Sequence, residues 1–347
     1  MTGPGERASE SPGRLAPARP TTMRQVALAA GVSPMTVSRV LTGNGYVAEE
    51  TAARVRDVLQ RLEYRPNPVA RLLRGRRSHL IGVTIPSLTS SVHRGIVAGV
   101  EEVFEATGYQ SILGHLQSGL HPSSDFVEIA HRQHCDGYVI VPSRADASST
   151  PAALLDRPAV VALSSVPGLV ADAVLTDGRD AARAAALYLL RRFGAPVAFV
   201  GLDSQLSHDL SMRDGYRDGM ADAGYEPWEL AVRPGEEGAH QGIRVMLSSP
   251  RPPRAILFAS TMVHLEGLGA LIQSGLRVGE DVGVVAVVSE DRPWTALLPT
   301  SLPLMVIPAR EIGRRAARRL LRRFDQPAAE IETEVVPMEL LLPDHGA

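Results

Sequence analysis

Between residues 22 and 62, apolar side chains recur every three to four positions in three short blocks. Met23, Val26, Ala27 and Ala30 form one stripe, Val37, Val40 and Leu41 a second, and Val55, Val58, Leu59 and Leu62 a third. This spacing predicts three short amphipathic helices. Thr22 stands where its hydroxyl can cap the first helix, and Gly31 follows the last apolar position, where the chain needs a left-handed residue to turn. Ser33 caps the second helix, and Pro34 takes its first position, where a missing N–H costs nothing. Two helices joined by a tight Gly-containing turn have the spacing of a helix-turn-helix. The third helix spans Thr51 to Leu62, preceded by Glu49 and Glu50, which favour its dipole. With the stripes turned inward, Pro34, Met35, Thr36, Ser38 and Arg39 face outward from the second helix. A recognition helix presents such a set to the major groove, although a surface helix of a larger bundle carries a similar face.

From His79 the period changes. Short apolar runs at 80–86 (LIGVTIP), 109–114 (YQSILG), 136–143 (DGYVIVPS) and 158–165 (PAVVALSS) alternate with helical stretches through Ile96, Val97, Val100 and Val103 and through Phe126, Ile129 and Ala130. A second series starts with a helix over 176–194 and the strand APVAFVG. A helix from Arg213 to Gly224, the strand RAILFAS, a helix to Gly275, the strand DVGVVAVVS and a helix from Ala309 to Phe324 follow. Strands alternating with helices predict parallel sheets. In open sheets of this kind, ligands bind at the loops on the carboxyl ends of the strands.

The length of 347 residues allows two to three domains. All 36 basic residues are Arg, which reads first as coding bias. The formal net charge of −2 hides an asymmetry: between residues 21 and 78, ten Arg face four carboxylates, giving +6 and leaving −8 on the rest. A basic N-terminal module on an acidic body puts phosphate attraction where the helix-turn-helix is. The lone Cys135 excludes an intramolecular disulfide framework and any Cys-based zinc cluster, and fits a buried thiol. His131 and His134 lie at i, i+3 without a third ligand, so no metal is expected, and no cofactor motif is present. No Gly-rich phosphate loop or nucleophile elbow stands out, which argues against an enzyme. No apolar run approaches a membrane span of about 18 to 20 residues. The first 20 residues lack a signal-peptide core and read as a disordered extension, so a cytoplasmic protein is expected. The final PDHGA carries no heptads, and nothing there indicates a tetramer-forming coiled coil.

The run from Thr21 to Ser78 closely resembles the DNA-binding headpiece and hinge of the lactose-repressor/galactose-repressor (LacI/GalR) family. The resemblance rests on Val26-Ala27, Ala30-Gly31-Val32-Ser33, Thr36-Val37-Ser38-Arg39-Val40-Leu41, Tyr64-Arg65-Pro66-Asn67 and Val69-Ala70-Arg71. Further on, LTSSV, GIVAGVEE, TDGRDAARAA, ASTMVHLEGLGAL, VVSEDRPW and SLPLMVIPAREIG fall in family order. It implies an all-α headpiece with a hinge helix, followed by a two-lobed α/β effector domain like periplasmic sugar-binding proteins, with parallel sheets. The implied domains are 1–20 (extension), 21–65 (helix-turn-helix), 66–78 (hinge) and 79–347 (effector binding and dimerisation). Lobe 1 would take about 79–177 and 308–328, and lobe 2 about 178–305 and 329–347, with chain crossings near 176–180, 304–308 and 325–332.

The resemblance further implies a homodimeric transcriptional regulator, most simply a repressor, on a pseudo-palindromic double-stranded operator, controlled by a sugar-like small molecule. Arg39 is the first candidate for a base contact, because its fork can bond a guanine edge. Pro34 and Met35 occupy the positions that vary to set sequence preference, and both favour thymine methyls. Thr22, Ser33, Thr36, Ser38 and Asn67 are candidates for phosphate contacts that fix register. Tyr46 either reaches a phosphate or packs on the third helix. In the hinge, Leu73 would wedge between base pairs with Ala70 and Arg71 lining the minor groove; a plain linker helix burying Leu72 and Leu73 is the other reading.

For the effector, position offers Ser87, Ser90, His93, Ser143, Arg213, Thr261, Glu290 and Asp291. Here the chain departs from the family. Ser91-Val92-His93 replaces an aromatic pair, Ser260-Thr261 replaces Asn-Asp, Ser289-Glu290-Asp291 replaces Phe-Asp-Asp, an Asp falls on Leu163, and the usual pocket Arg aligns with Met212 rather than Arg213. Sugar recognition needs carboxylates and amides on hydroxyls and an aromatic face against the ring. Either the effector is unusual, or the protein is a DNA-binding regulator with a degenerate pocket. A pure small-molecule binding protein would explain the lobes but leave the headpiece without a role.

Overall fold

The computed structural model describes residues 21–42, 45–64, 77–117, 121–148, 157–233, 238–290 and 302–343. Residues 1–77 and 78–347 form two separate compact units.

In the first unit, α1 (Met23–Ala30), α2 (Pro34–Thr42) and α3 (Glu49–Arg61) enclose a core of Val26, Ala27, Ala30, Val37, Val55 and Val58. These are the inward residues of the three stripes, and apolar burial is what holds so small a unit together. Two long-range bonds close it. Arg54 Nε donates to the Ala30 carbonyl at 3.1 Å, and the Thr21 hydroxyl donates to the Leu62 carbonyl at 3.1 Å. The third helix begins at Glu49, two residues before the predicted start, without a side-chain cap at Ala48.

The second unit holds two six-stranded sheets. In the first sheet the order is β11-β5-β4-β3-β1-β2, all parallel, from β1 (Leu80–Ile85), β2 (Gln110–His115), β3 (Gly137–Ile140), β4 (Ala159–Leu163), β5 (Asp172–Asp177) and β11 (Thr333–Pro337). The second has the order β12-β10-β9-β8-β6-β7, from β6 (Val197–Leu202), β7 (Trp228–Val232), β8 (Ala255–Phe258), β9 (Gly283–Ser289), β10 (Leu304–Ile307) and β12 (Glu339–Leu341). There only β12 is antiparallel. Helices α4 (Ser91–Thr107), α5 (Ser123–Arg132) and α10 (Ala309–Asp325) belong with the first sheet; α6 (Arg179–Phe193), α7 (Ser207–Asp222), α8 (Gly238–Leu247) and α9 (Thr261–Gln273) belong with the second. The central strands are buried on both faces, as covered parallel sheets require.

Three chain passages join the lobes. The first follows Asp177 and the second lies at Pro308. The third is later than 325–332: Thr333–Pro337 pairs with β5 in the first sheet, and the chain crosses at Met338. The predicted helix from 176 also starts later. Thr176 and Asp177 end β5, and the helix begins at Arg179.

The Arg-rich face of α10 is neutralised within its own lobe. Arg314 reaches Glu102 at 3.1 Å, Arg315 reaches Glu334 at 2.6 Å, Arg319 reaches Glu332 at 2.7 Å, and Arg323 reaches Asp172 at 2.6 Å. These pairings account for the charge run without a nucleic acid.

Candidate nucleic-acid interface and ligand cleft

The turn that presents α2 is built from local chemistry. Thr22 and Gln25 form a reciprocal capping box: the Thr22 hydroxyl accepts from the Gln25 N–H, and the Gln25 side chain accepts from the Thr22 N–H at 2.8 Å. Gly31 ends α1 in the left-handed region at φ 64°, where a Cβ would be strained. The Ser33 hydroxyl accepts from the Thr36 N–H at 3.1 Å and pairs with the Thr36 hydroxyl at 3.0 Å, which caps α2. With Val37 fully buried, the orientation of α2 about its own axis is fixed.

That orientation leaves Thr22, Ser33, Pro34, Met35 and Arg39 exposed and Thr36 and Ser38 half-buried. Met35 is 64 % exposed, unusual for a large apolar side chain and consistent with a contact made to something outside the unit. The Arg39 side chain lies along the following loop, where a Cβ on Gly45 would sit 3.5 Å from its Cδ and Nε. Tyr46 is 90 % exposed, so packing on the third helix is not its role. Asn67, Ala70, Arg71 and Leu73 lie outside the described residues.

In the second unit, an opening of about 750 Å³ lies between the lobes. Ser87, Ser90, His93, Ser143 and Thr261 line it, five of the eight positions offered by the sequence. Arg213 lines a smaller adjoining cavity. Glu290 does something else: its carboxylate accepts from the Ala309 and Arg310 N–H groups at 2.9 Å each, capping α10. An acidic side chain at a helix N-terminus satisfies free donors and the dipole, so Glu290 is a helix cap and not part of the cleft wall. Asp291 lies outside the described residues.

Hydroxyls bridge the lobes. Ser90 lies 3.5 Å from Thr261, and Ser164 lies 3.1 Å from Ser207, whose hydroxyl also accepts from the Ser165 N–H at 2.9 Å. His93 is held through Nδ1 by the Ser87 backbone carbonyl at 3.1 Å, and burial pushes its pKa down to about 4. It therefore stands in the cleft as a neutral imidazole at neutral pH. Leu163, at the end of β4, has φ 76°, a conformation that a non-glycine residue adopts at an energetic cost.

Sequence reasoning missed His208 and Asp209, which also line the cleft. They belong to the first turn of α7, whose capping residue Leu206 makes no side-chain cap bond. No side-chain capping signal therefore marked the helix start, which the pattern placed at Arg213.

Among the described residues, no cluster of His, Cys, Asp and Glu has metal-holding geometry. No helix among them is long and apolar enough to cross a membrane.

Comparison with known proteins adds two matches along the chain. Residues 22–67 match the family model described as bacterial regulatory proteins, lacI family, and residues 186–342 match a periplasmic binding protein-like domain. The ribose operon repressor of Bacillus subtilis is 27 % identical over 317 residues, covering 89 % of this chain and 94 % of that protein. A transcriptional regulator of Pseudomonas aeruginosa, GntR, is 28 % identical over 310 residues, covering 87 % and 89 % respectively. Among solved structures, the lac repressor dimer bound to operator and an anti-inducer superposes with a TM-score of 0.80 at 27 % identity, covering 93 % of this chain and 98 % of that one.

Proposed function

We propose that the chain is a member of the LacI family of bacterial regulatory proteins, whose model matches residues 22–67, and acts as a repressor that reads a pseudo-palindromic operator as a homodimer and is switched by a small molecule. The observation that carries this reading is the outward face of α2, capped at Ser33, locked by Val37 and presenting Met35 and Arg39. Arg39 makes the base contact, Pro34 and Met35 set sequence preference by apolar contact, and Thr22, Ser33, Thr36, Ser38 and Tyr46 meet phosphates. Asn67, Ala70, Arg71 and Leu73 extend the contact through the hinge.

Pairing of two copies is supported by α9, where Leu265 and Ile272, at i and i+7, share one face with 55 % and 61 % of their surfaces exposed. A fully solvated helix rarely shows two such residues in register. The effector enters the cleft at Ser87, Ser90, His93, Ser143 and Thr261. It acts by preferring one arrangement of the lobes, because a ligand shifts an equilibrium only through differential affinity for its two states. The hydroxyl pairs Ser90–Thr261 and Ser164–Ser207 are the contacts such a shift would remake.

Arg39→Ala tests the central residue. On the selected operator it is expected to cost about 1 to 3 kcal/mol, with little change on a random duplex, measured by fluorescence anisotropy at one fixed salt concentration. An equal loss on both DNAs would make Arg39 a phosphate contact and reject its role in sequence reading.

A further inference from the structure

Most polar groups of the cleft are already committed. The Ser143 hydroxyl donates to the His121 carbonyl at 2.9 Å, Ser87 pairs with Thr89 at 2.9 Å, and Ser90 and Ser260 cap α4 and α9. The cleft's buried polar atoms without a partner are gathered on the first two turns of α7. Asp209 is only 7 % exposed; its Oδ1 lies 3.3 Å from His208 Nε2, and its Oδ2 is buried without a hydrogen-bond partner. Nδ1 of His208 and Nε of Arg213 are likewise buried and unpartnered. Asp209 stands where the main opening meets a small side cavity, on whose wall Arg213 also lies. A buried carboxylate oxygen and a buried guanidinium N–H on one small cavity form an acceptor and a donor awaiting a group that offers the complement of each.

Much of the remaining wall is apolar, with Leu163, Leu206, Met212, Met262, Val287 and Ile307 facing the opening and Arg144 at its side. Among the described residues, no Phe, Tyr or Trp lines the main cleft. A polyhydroxylated molecule would bury several hydroxyls against aliphatic carbon, and each one left unpaired opposes binding.

We infer that the cleft takes a small, mainly aliphatic molecule with a single donor–acceptor head, such as a carboxamide or an alcohol, seated between Asp209 and Arg213. The head's N–H or O–H donates to Asp209 Oδ2, and its oxygen accepts from Arg213 Nε–H. The hydrocarbon part fills the space before Leu163, Met212 and Ile307. This inference rests on the reading of the cleft as the effector site and names the class of molecule it recognises.

The test uses the purified full-length protein with hexanamide and 1-hexanol as probes, set against D-ribose and D-glucose. Saturation-transfer NMR and the thermal shift of the second unit are read at matched millimolar concentrations. Hexanamide is expected to show transfer to its chain protons and to raise Tm, with neither effect from the sugars. Asp209→Leu, close in volume, is expected to weaken hexanamide binding by about tenfold or more through loss of the acceptor. Asp209→Asn, which keeps one acceptor oxygen, is expected to fall between the two and guards against a folding defect in the first variant. A larger response to ribose or glucose, no response to hexanamide and hexanol, or unchanged hexanamide binding in Asp209→Leu would overturn the inference. Selection of a shared motif from genomic fragments by the same wild-type preparation separates this failure from a failure of the regulator reading, since DNA selection does not require the cleft to be filled as inferred.

Discussion

Val55→Asp is expected to abolish operator binding while leaving the α/β unit folded. Val55 is fully buried and packs with Val26, Val37 and Val58 at the centre of the three-helix core. A lone carboxylate there has no partner and costs several kcal/mol even after the structure relaxes. A helical unit of this size has only a few kcal/mol to lose. Its helices then no longer hold α2 at a fixed rotation, and Arg39 and Met35 no longer share a face. The measured effect is a loss of operator affinity beyond about a hundredfold, more than 2.7 kcal/mol. Because residues 78–347 form a separate compact unit, their thermal transition is expected to stay where it is in the parent protein. A variant that retains sequence-specific binding would mean that DNA is held elsewhere.

The second large effect concerns the junction of α4 and α10. Gly313 lies where the helices touch backbone to backbone, and a Cβ added there would fall onto the carbonyl of Ile96; one added at Gly99 would fall onto the carbonyl of Arg310. Neither obstacle is the flexible end of a side chain. Relief requires moving one helix away from the other, which opens contacts around Ile96, Ile312, Ala309 and Ala316, all fully buried. Gly313→Ala is therefore expected to destabilise the α/β unit by about 3 kcal/mol, at the upper end for overpacking. Urea titration of the variant checks this. A change below about 0.5 kcal/mol, the range of ordinary surface substitutions, would show that the helices do not meet at this distance.

The parts of the fold that could be read from the sequence are those fixed by local chemistry. Thr22, Gly31, Ser33 and Pro34 announced two helix starts and one stop, and each acts as its side chain or backbone freedom dictates. The central strands were legible because burial on both faces makes them continuous apolar runs. Where tertiary context decides, the reading failed. β7 (Trp228–Val232) is an edge strand with mixed burial, so it lacked that run. The third passage between lobes went wrong because β11 and β12 are separated by Met338 alone, and nothing in their residues says which sheet each will join.

The cleft divides in the same manner. Ser87, Ser90 and Thr261 could be anticipated because they sit at strand ends and helix starts. Glu290 sat at a strand end too, yet its carboxylate serves the N–H groups of a helix 19 residues further on, a partner that only the folded chain brings near. Asp209 and His208 were invisible for the opposite reason: a helix that starts without a capping side chain hides its first turn among loop residues.

The central claim is that α2 reads DNA sequence in a paired protein. Its most direct test is capture of fragments of the source genome by the purified full-length protein, followed by sequencing. The account predicts enrichment of one shared motif made of two half-sites related by a two-fold axis, lost in Val55→Asp. Enrichment without any shared motif, or of a single unpaired half-site, would contradict it.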